Sequence, residues 1–443
     1  MQGNKEQSAR RFTRRSWLHL GAIMAILGGL LSGCGGHDEE QEAQPSKAAA
    51  IRIDYWTPFS GGDNQFMTAM VNRFNEEQTG IQIVQTNSRL DDYYSRLRTA
   101  ILAGNAPDVA IVHTTSMPQF VQNGYIEDLT APAAEVGLDW KQFNPNILAS
   151  TVYNGHSFAV PLDTHALVMY YNKAYLRQAG LLDDADKPVI GQGPEGFHAF
   201  LQQIKKSVPS DVAPLAEPST RIDSVWLWWS LYNQMKGGGA MYSADGTKAA
   251  FDNPKSLQAL KFIHQLNSEG LIPPNINDSF KLFSDGKAAV LFLGMWATGA
   301  LEHVKGLDFG VIPVPKLYDQ PSAWGDSHTL AIPKKSDMSD EKQKAIMTFI
   351  KWMVEHGEMW AEAGHVPSMT KVVKDKAFNE LKYRSDYAAV ANYVAYWPRN
   401  VKQWSIIEIL IGEFEKMNYN QQTPEQALRK AADKVNAALR TNA

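Results

Sequence analysis

Residues 51–112 read IRIDYWTPFSGGDNQFMTAMVNRFNEEQTGIQIVQTNSRLDDYYSRLRTAILAGNAPDVAIV, and their pattern decides the fold class. Ile51-Arg52-Ile53-Asp54-Tyr55-Trp56 alternates as a half-buried strand does. After the loop Thr57–Gly62, the residues Phe66, Met67, Met70, Val71 and Phe74 recur at helical spacing, and Gly80 stands where a helix-terminating glycine belongs. Ile81–Val84 reads as the next strand. Leu90, Tyr94, Leu97 and Ile101 mark a second helix, stopped by Gly104, and Val109–Val112 is a short apolar strand. Strand, helix, strand, helix, strand at this spacing predicts an open α/β sheet. Ligands of such sheets sit at the carboxyl ends of the strands, here the loops that begin at Trp56 and His113.

Upstream, Lys5, Arg10, Arg11, Arg14 and Arg15 precede an apolar run from Trp17 to Leu31, which ends in Leu31-Ser32-Gly33-Cys34. A basic head, a short apolar middle and a small-residue end are the layout of a secretory signal. The apolar run is shorter than the ~20 residues a spanning helix needs. Leu31–Cys34 resembles the lipobox of bacterial lipoproteins, which implies cleavage and lipidation, by palmitate or a similar acyl chain, at the single cysteine Cys34. Thr13-Arg14-Arg15-Ser16-Trp17-Leu18 also resembles a twin-arginine export motif, with Trp17 where Phe is usual. Residues 1–33 are therefore read as signal and residues 34–50, rich in Asp and Glu, as a flexible tether.

The remaining ~400 residues exceed one ordinary core and predict two lobes. Net charge is −4 overall, and the signal carries five Lys and Arg against one Glu, so the remainder lies near −8. That argues against nucleic acid, which needs a basic footprint. One cysteine rules out an intramolecular disulfide. Val152–Phe158 is a hairpin signal turned at Asn154-Gly155. Pro161–His165 interrupts the pattern, Leu167–Tyr171 is strand-like, residues 173–300 are helix-rich, and Phe309–Pro315 reads as a strand running into a second crossing. Thr423, Pro424 and Gln426 open a final helix as N-cap, N1 and N3.

Several short patterns occur in order: Asn154-Gly155-His156-Ser157-Phe158-Ala159-Val160-Pro161, Tyr171-Asn172-Lys173, Ala179-Gly180-Leu181, Gly286-Lys287-Ala288-Ala289-Val290, Gly294-Met295-Trp296 and Gly364-His365-Val366-Pro367-Ser368. From about Ile51 to the C-terminus the series resembles the extracellular solute-binding proteins of sugar ABC importers, the maltose-binding-protein-like family 1. Gly193-Pro194-Glu195-Gly196-Phe197 departs from the family's Pro-x-Thr-Trp-Asp/Glu segment, at a helix start rather than a sugar contact. The resemblance implies a two-lobed α/β clamshell, the type II periplasmic-binding-protein fold, with discontinuous lobes joined at a hinge. One lobe is expected from residues 51–161 and 322–363, the other from 162–321 and 364–443, with crossings near Pro161–His165, Pro313–Ala323 and Gly364.

A sugar stacks its C–H face on an aromatic ring and presents hydroxyls that need fixed partners, because a buried unpaired one costs about 1–3 kcal/mol. Trp56, with Phe59 beyond it, is expected to stack on sugar or to cap the sheet core. His113 and Thr115 follow the third strand, while Asp108 is a structural turn residue. Asp163 and His165 lie in the first crossing, and Asp163 suits a bidentate contact to hydroxyls. Of the cluster Trp226, Trp228 and Trp229, one is expected at the cleft, with Trp228 and Trp229 as candidates; 226 and 229 share a helix face. Trp296 stands where the resemblance places a stacking Trp. Trp324, Asp326 and His328 return to the hinge, and His365 and Trp397 complete the candidates.

The expected function is capture of a mono- or oligosaccharide outside the cytoplasm by a lipid-anchored monomer, and its delivery to the permease subunits of an ABC importer, with no bond chemistry and no cofactor. A glycoside hydrolase would need two carboxylates at fixed separation, and no fragment resembles a hydrolase motif. A metal-binding receptor is the other rival. The chain has 11 His but no convincing His-x-x-x-His pair. His113, His165, His328 and His365 could converge in the fold, though polar contacts to sugar explain them equally, so no metal is expected.

Overall fold

The computed structural model describes residues 50–59 and 62–441. The expected signal, Cys34 and the tether to residue 49 lie outside them. In chain order the strands of the two main sheets are β1 (Ile51–Thr57), β2 (Ile81–Asn87), β3 (Val109–His113), β4 (Val160–Pro161), β5 (Asp163–Asn172), β6 (Ala213–Ala216), β7 (Ala288–Gly294), β8 (Phe309–Pro313), β9 (Ala323–Asp326), β10 (His328–Ala331), β11 (Val366–Pro367) and β12 (Val394–Ala395). The first sheet has the order β2-β1-β3-β10-β4. Its first three strands are parallel, in register Ile51 to Ile81 and Tyr55 to Val109, with helices Asn64–Glu77 and Leu90–Leu102 as the crossovers. The alternation read from residues 51–112 is therefore the alternation that builds this sheet. Ile53, Tyr55 and Thr57 turn to one side and are buried there.

The second sheet has the order β12-β9-β5-β7-β6, with β8 and β11 also paired to β5. All ten residues of β5 are buried, which suits a central strand covered on both faces. Two cores follow. One gathers Ile53, Met67, Phe74, Ile346 and Phe349 around the first sheet. The other gathers Leu167, Tyr170, Trp228, Phe251, Leu410 and Val435 around the second. Each such side chain contributes about 1.5–3 kcal/mol on burial. The hairpin turns at Asn154 and Gly155 with φ +52° and +83°, the left-handed pair a two-residue turn requires. The final helix, Pro424–Arg440, opens with both bonds of a capping box: Gln426 N–H donates to Thr423 Oγ1 at 3.3 Å and Thr423 N–H to Gln426 Oε1 at 3.1 Å. No helix among the described residues is long and apolar enough to cross a membrane.

The chain passes between the sheets at Leu162–Asp163, at Ser327 and at Gly364–His365. The second passage falls later than Pro313–Ala323, where the sequence suggested it, and past the expected boundary at 321/322. Residues 314–322 stay on the second core because Gln234 holds them: Leu317 N–H donates to its Oε1 at 2.8 Å and Gln320 N–H to its carbonyl at 3.0 Å. Val314 and Leu317 are buried there, and β9 then pairs with β5 before the chain leaves. Asp163–His165, read as an interruption, instead begins β5. Met369 and Val372, beyond the third passage, still pack on the first core.

Candidate functional site

Strand register brings the polar candidates together. His328 lies opposite His113 across β10 and β3, Asp326 opposite His165 across β9 and β5, and Pro367 opposite Asp163 across β11 and β5, with His365 one residue before β11. Neighbouring strands run about 4.8 Å apart, so residues far apart in sequence become side-by-side groups. Ser327 alone separates β9 from β10. Its hydroxyl donates to the Asp163 carbonyl, which fixes the passage between sheets.

Of these, His113, His165, Asp326, His328 and His365 floor a cavity of about 360 Å³. One wall is aromatic: Trp226, Trp296, Trp324, Trp397 and Trp404. Trp226 and Trp324 stack at 4.0 Å and 14°, and Trp296 stands edge-on to both at 5.7 and 6.3 Å. The Trp296 ring lies over Gly294, where a Cβ would sit 1.9 Å from the ring. Phe59, His113, Thr115, His165, His328 and His365 face this wall. Among the described residues, five polar atoms of the lining are buried without a hydrogen-bond partner: Trp226 Nε1, Trp324 Nε1, Asp63 Oδ1 and both ring nitrogens of His365. Orphans of this kind cost about 1–3 kcal/mol each unless something binds them.

Beneath the floor lies Asp163, fully buried. Its carboxylate accepts from His328 N at 3.0 Å, His328 Nδ1 at 2.7 Å and Trp360 Nε1 at 2.5 Å, with His165 Nδ1 at 3.3 Å. Burial opposes its charge, but His328 and His365 outweigh burial and hold it well below the usual carboxylate range. Burial likewise opposes a proton on His328, yet Asp163, reinforced by Asp63 and Asp326, raises that imidazole above its ordinary value. Burial and the neighbouring histidines lower His113 well below normal, and burial with His328 lowers His165. Asp63 is lowered too: His365 and His328 overcome its burial. The Tyr94 hydroxyl accepts from His113 N at 2.9 Å and lies 2.6 Å from Nδ1. It therefore donates to Nδ1, and a neutral His113 carries its proton on Nε2. Asp326 is engaged by the hydroxyls of Thr114 and Thr115, the latter at 2.5 Å.

Of the residues singled out in sequence, Phe59, His113, Thr115, His165, Trp296, Trp324, Asp326, His328, His365 and Trp397 line the cavity. Trp56 does not. Strand alternation turns it to the opposite face from Tyr55, against the cluster that includes Leu97 and Phe120, with Arg96 5.8 Å from its ring. Asp163 lies under the floor rather than in it, because the donors around it occupy its oxygens. Trp228 and Trp229 are core. Trp228 Nε1 donates to Ser256 O at 3.2 Å, and Trp229 Nε1 donates to Ala395 O at 2.9 Å while its ring backs Trp397 at 4.7 Å. Trp226 is the member of that cluster which faces the cavity. Asp63, Leu90, Arg221, Ile222 and Trp404 were not foreseen as lining. Asp63 stands in the loop leaving β1, so the strand-end rule pointed toward it; for Trp404 no local pattern did.

The same register has a second consequence. Asp163, His165, His328 and His365, all buried, each offer one ligand atom, and the four atoms lie within 4.8 Å of one another. No spacing motif announces this group, since its members come from three separate passages between the sheets.

Comparison with known proteins shows the family. Residues 60–360 match the family described as bacterial extracellular solute-binding protein. The maltotriose-binding protein of Pyrococcus abyssi is 20% identical over 389 residues, covering 84% of this chain and 79% of that one. The arabinooligosaccharide-binding protein of Bacillus subtilis is 24% identical over 449 residues, covering 93% and 97%. Among solved structures, an ABC substrate-binding protein of Listeria monocytogenes in complex with cycloalternan superimposes with TM-score 0.76 at 19% identity, covering 89% of this chain and 100% of that one.

Proposed function

Because the chain belongs to the bacterial extracellular solute-binding proteins, we propose that it captures a mono- or short oligosaccharide between its two lobes and delivers it to the permease of an ABC importer. The observation that carries the reading is the cavity itself: a tryptophan wall facing fixed donors and acceptors, at the place where the chain passes between the sheets. The stacked pair Trp226–Trp324 and the edge-on Trp296 suit sugar C–H faces. His113 Nε2–H, the Trp226 and Trp324 indole N–H groups and Asp63 suit hydroxyls. The volume, about 360 Å³, is at the small end of the ~300–1,000 Å³ range of ligand pockets. That favours one or two sugar rings held at a time.

Ligand binds the closed arrangement better and so favours closure, and the permease reads the closed shape. The lipid at Cys34 keeps a monomeric receptor near that permease through the acidic tether. Hydrolysis is the weaker reading. A glycosidase needs an acid with a raised pKa beside a second carboxylate, whereas Asp63, on the cavity wall, and Asp163, beneath it, are both held low.

A tryptophan fluorescence titration over a panel of mono- and oligosaccharides tests the proposal. Saturable change with at least one sugar is expected; no response to any of them refutes it.

A further inference from the structure

We propose that Asp163, His165, His328 and His365 form a binding site for a single divalent transition-metal ion of the zinc type. The geometry carries the inference. The Nδ1 atoms of His165, His328 and His365 all face the Asp163 carboxylate, at 3.3, 2.7 and 3.5 Å. Ligands about 2.0–2.1 Å from a tetrahedral ion lie about 3.3–3.4 Å from one another. The 3.3 Å separation, to Oδ1, and the 3.5 Å one, to Oδ2, approximate the edges of such a tetrahedron, the hydrogen-bonded 2.7 Å pair is shorter, and all four ligand atoms lie within 4.8 Å of one another. Three imidazoles and one carboxylate are the donor set of zinc and its neighbours, not of calcium or magnesium, which take oxygen ligands.

A second observation points to an occupant independently of this spacing. His365 is fully buried, and among the described residues neither ring nitrogen has a hydrogen-bond partner. A buried imidazole with both nitrogens idle is costly. Coordination through Nδ1 satisfies one of them. The other, Nε2, faces Asp63 Oδ2 at 3.8 Å, and a carboxylate behind a ligating histidine is the usual outer partner. Asp163 is supported in the same way by Trp360 Nε1–H at 2.5 Å.

Charge and access agree with the assignment. The bound ion takes the place of the proton shared between His328 and Asp163, and two buried carboxylates, Asp63 and Asp163, offset its charge. His165, His328 and His365 border the cavity, so an ion can enter through it. His113, adjacent to His328 at 4.7 Å between ring centroids, is held away by Tyr94 on its Nδ1. The ligands come from the first passage between sheets (Asp163 and His165), from the residue after the second (His328) and from the third (His365). A bound ion therefore ties together all three segments that join the lobes, at the floor of the cavity, with Asp163 beneath it. The site is independent of the sugar assignment, because it forms whether or not sugar binds.

The experiment uses the full chain, stripped of metal with chelator and titrated with Co2+ alone, then with Zn2+ alone. One equivalent of Co2+ should give the intense visible bands of four-coordinate cobalt, and one equivalent of Zn2+ should abolish them. H365Q and H165Q should each lower Zn2+ affinity at least about tenfold, while H198Q, a surface histidine paired with Glu269, leaves it unchanged. The wild-type cobalt spectrum does not depend on any variant folding. Absence of those bands, or Zn2+ affinity undiminished in folded H365Q, overturns the proposal.

Discussion

Asp163→Asn is the most informative single change at the junction of the lobes. The side chain is fully buried, and its two oxygens accept from His328 N, His328 Nδ1 and Trp360 Nε1, with His165 Nδ1 within reach. Asparagine keeps the volume but replaces one oxygen by an NH2 group, which must then confront N–H donors. Losing two charge-assisted bonds at about 1.5–3 kcal/mol each amounts to roughly 3–6 kcal/mol. Breaking a buried charged pair from one side costs about 3–5 kcal/mol, so the two routes agree. The described chain has 390 residues, and at about 2.1 cal/mol/K each its unfolding entropy is about 0.8 kcal/mol/K. A loss of 3–5 kcal/mol should therefore lower Tm by about 4–6 °C. The assay is a calorimetric melt of the sugar-free protein at pH 7 in chelator, which removes any contribution from metal. From sequence alone, Asp163 looked like a contact to the hydroxyls of a ligand, a role that asks little of it in the sugar-free fold. A Tm within about 1 °C of wild type would refute the buried arrangement and return Asp163 to that role.

Two further outcomes follow from the packing. Gly294→Ala places a methyl where the Trp296 ring lies, 1.9 Å away, so the ring must leave its edge-on position against Trp226 and Trp324. Sugar affinity should fall at least about twofold, the lower range of an aromatic contact, and titration of the variant beside wild type measures it. Glu413, buried between Lys416 at 2.8 Å, Lys434 at 2.6 Å and Gln422 at 2.9 Å, has its pKa lowered to about 2; burial opposes the shift and the two lysines and Gln422 overcome it. A depressed carboxylate stabilises the fold above its unfolded value near 4.5 and loses that contribution as pH falls toward 2. Glu413→Gln should therefore flatten the decline in Tm between pH 4.5 and 2.5, and an unchanged slope would contradict the network.

How much could be read in advance depended on whether the signal was local. The strands and helices of residues 51–112 follow from side-chain period, the hairpin at Asn154-Gly155 from two left-handed turn residues, and the start of Pro424–Arg440 from its capping box. Each is a preference of a few neighbouring residues. The role of Gly294 was half legible: the Gly-Met-Trp pattern was visible, but the close approach of the ring that requires glycine was not. The tryptophans were harder. Trp226 and Trp229 share a helix face, yet one meets the cavity and the other the carbonyl of Ala395. Helical periodicity fixes a face but not what covers it.

The sequence by itself determined the α/β class, from side-chain period and turn chemistry, and a size that calls for two lobes, while the resemblance to the sugar-importer binding proteins implied the passages between lobes and the aromatic and polar residues gathered near them. Only the tertiary structure decided which of those residues meet. His113 and His328 are neighbours because β3 and β10 pair in one register, and Asp163 reaches His328 and His365 because the chain passes between its sheets at three nearby points. A shift of one residue in that pairing would turn each histidine to the other face of its sheet. Register is set by the packing of both cores at once, and no local stretch of sequence contains it.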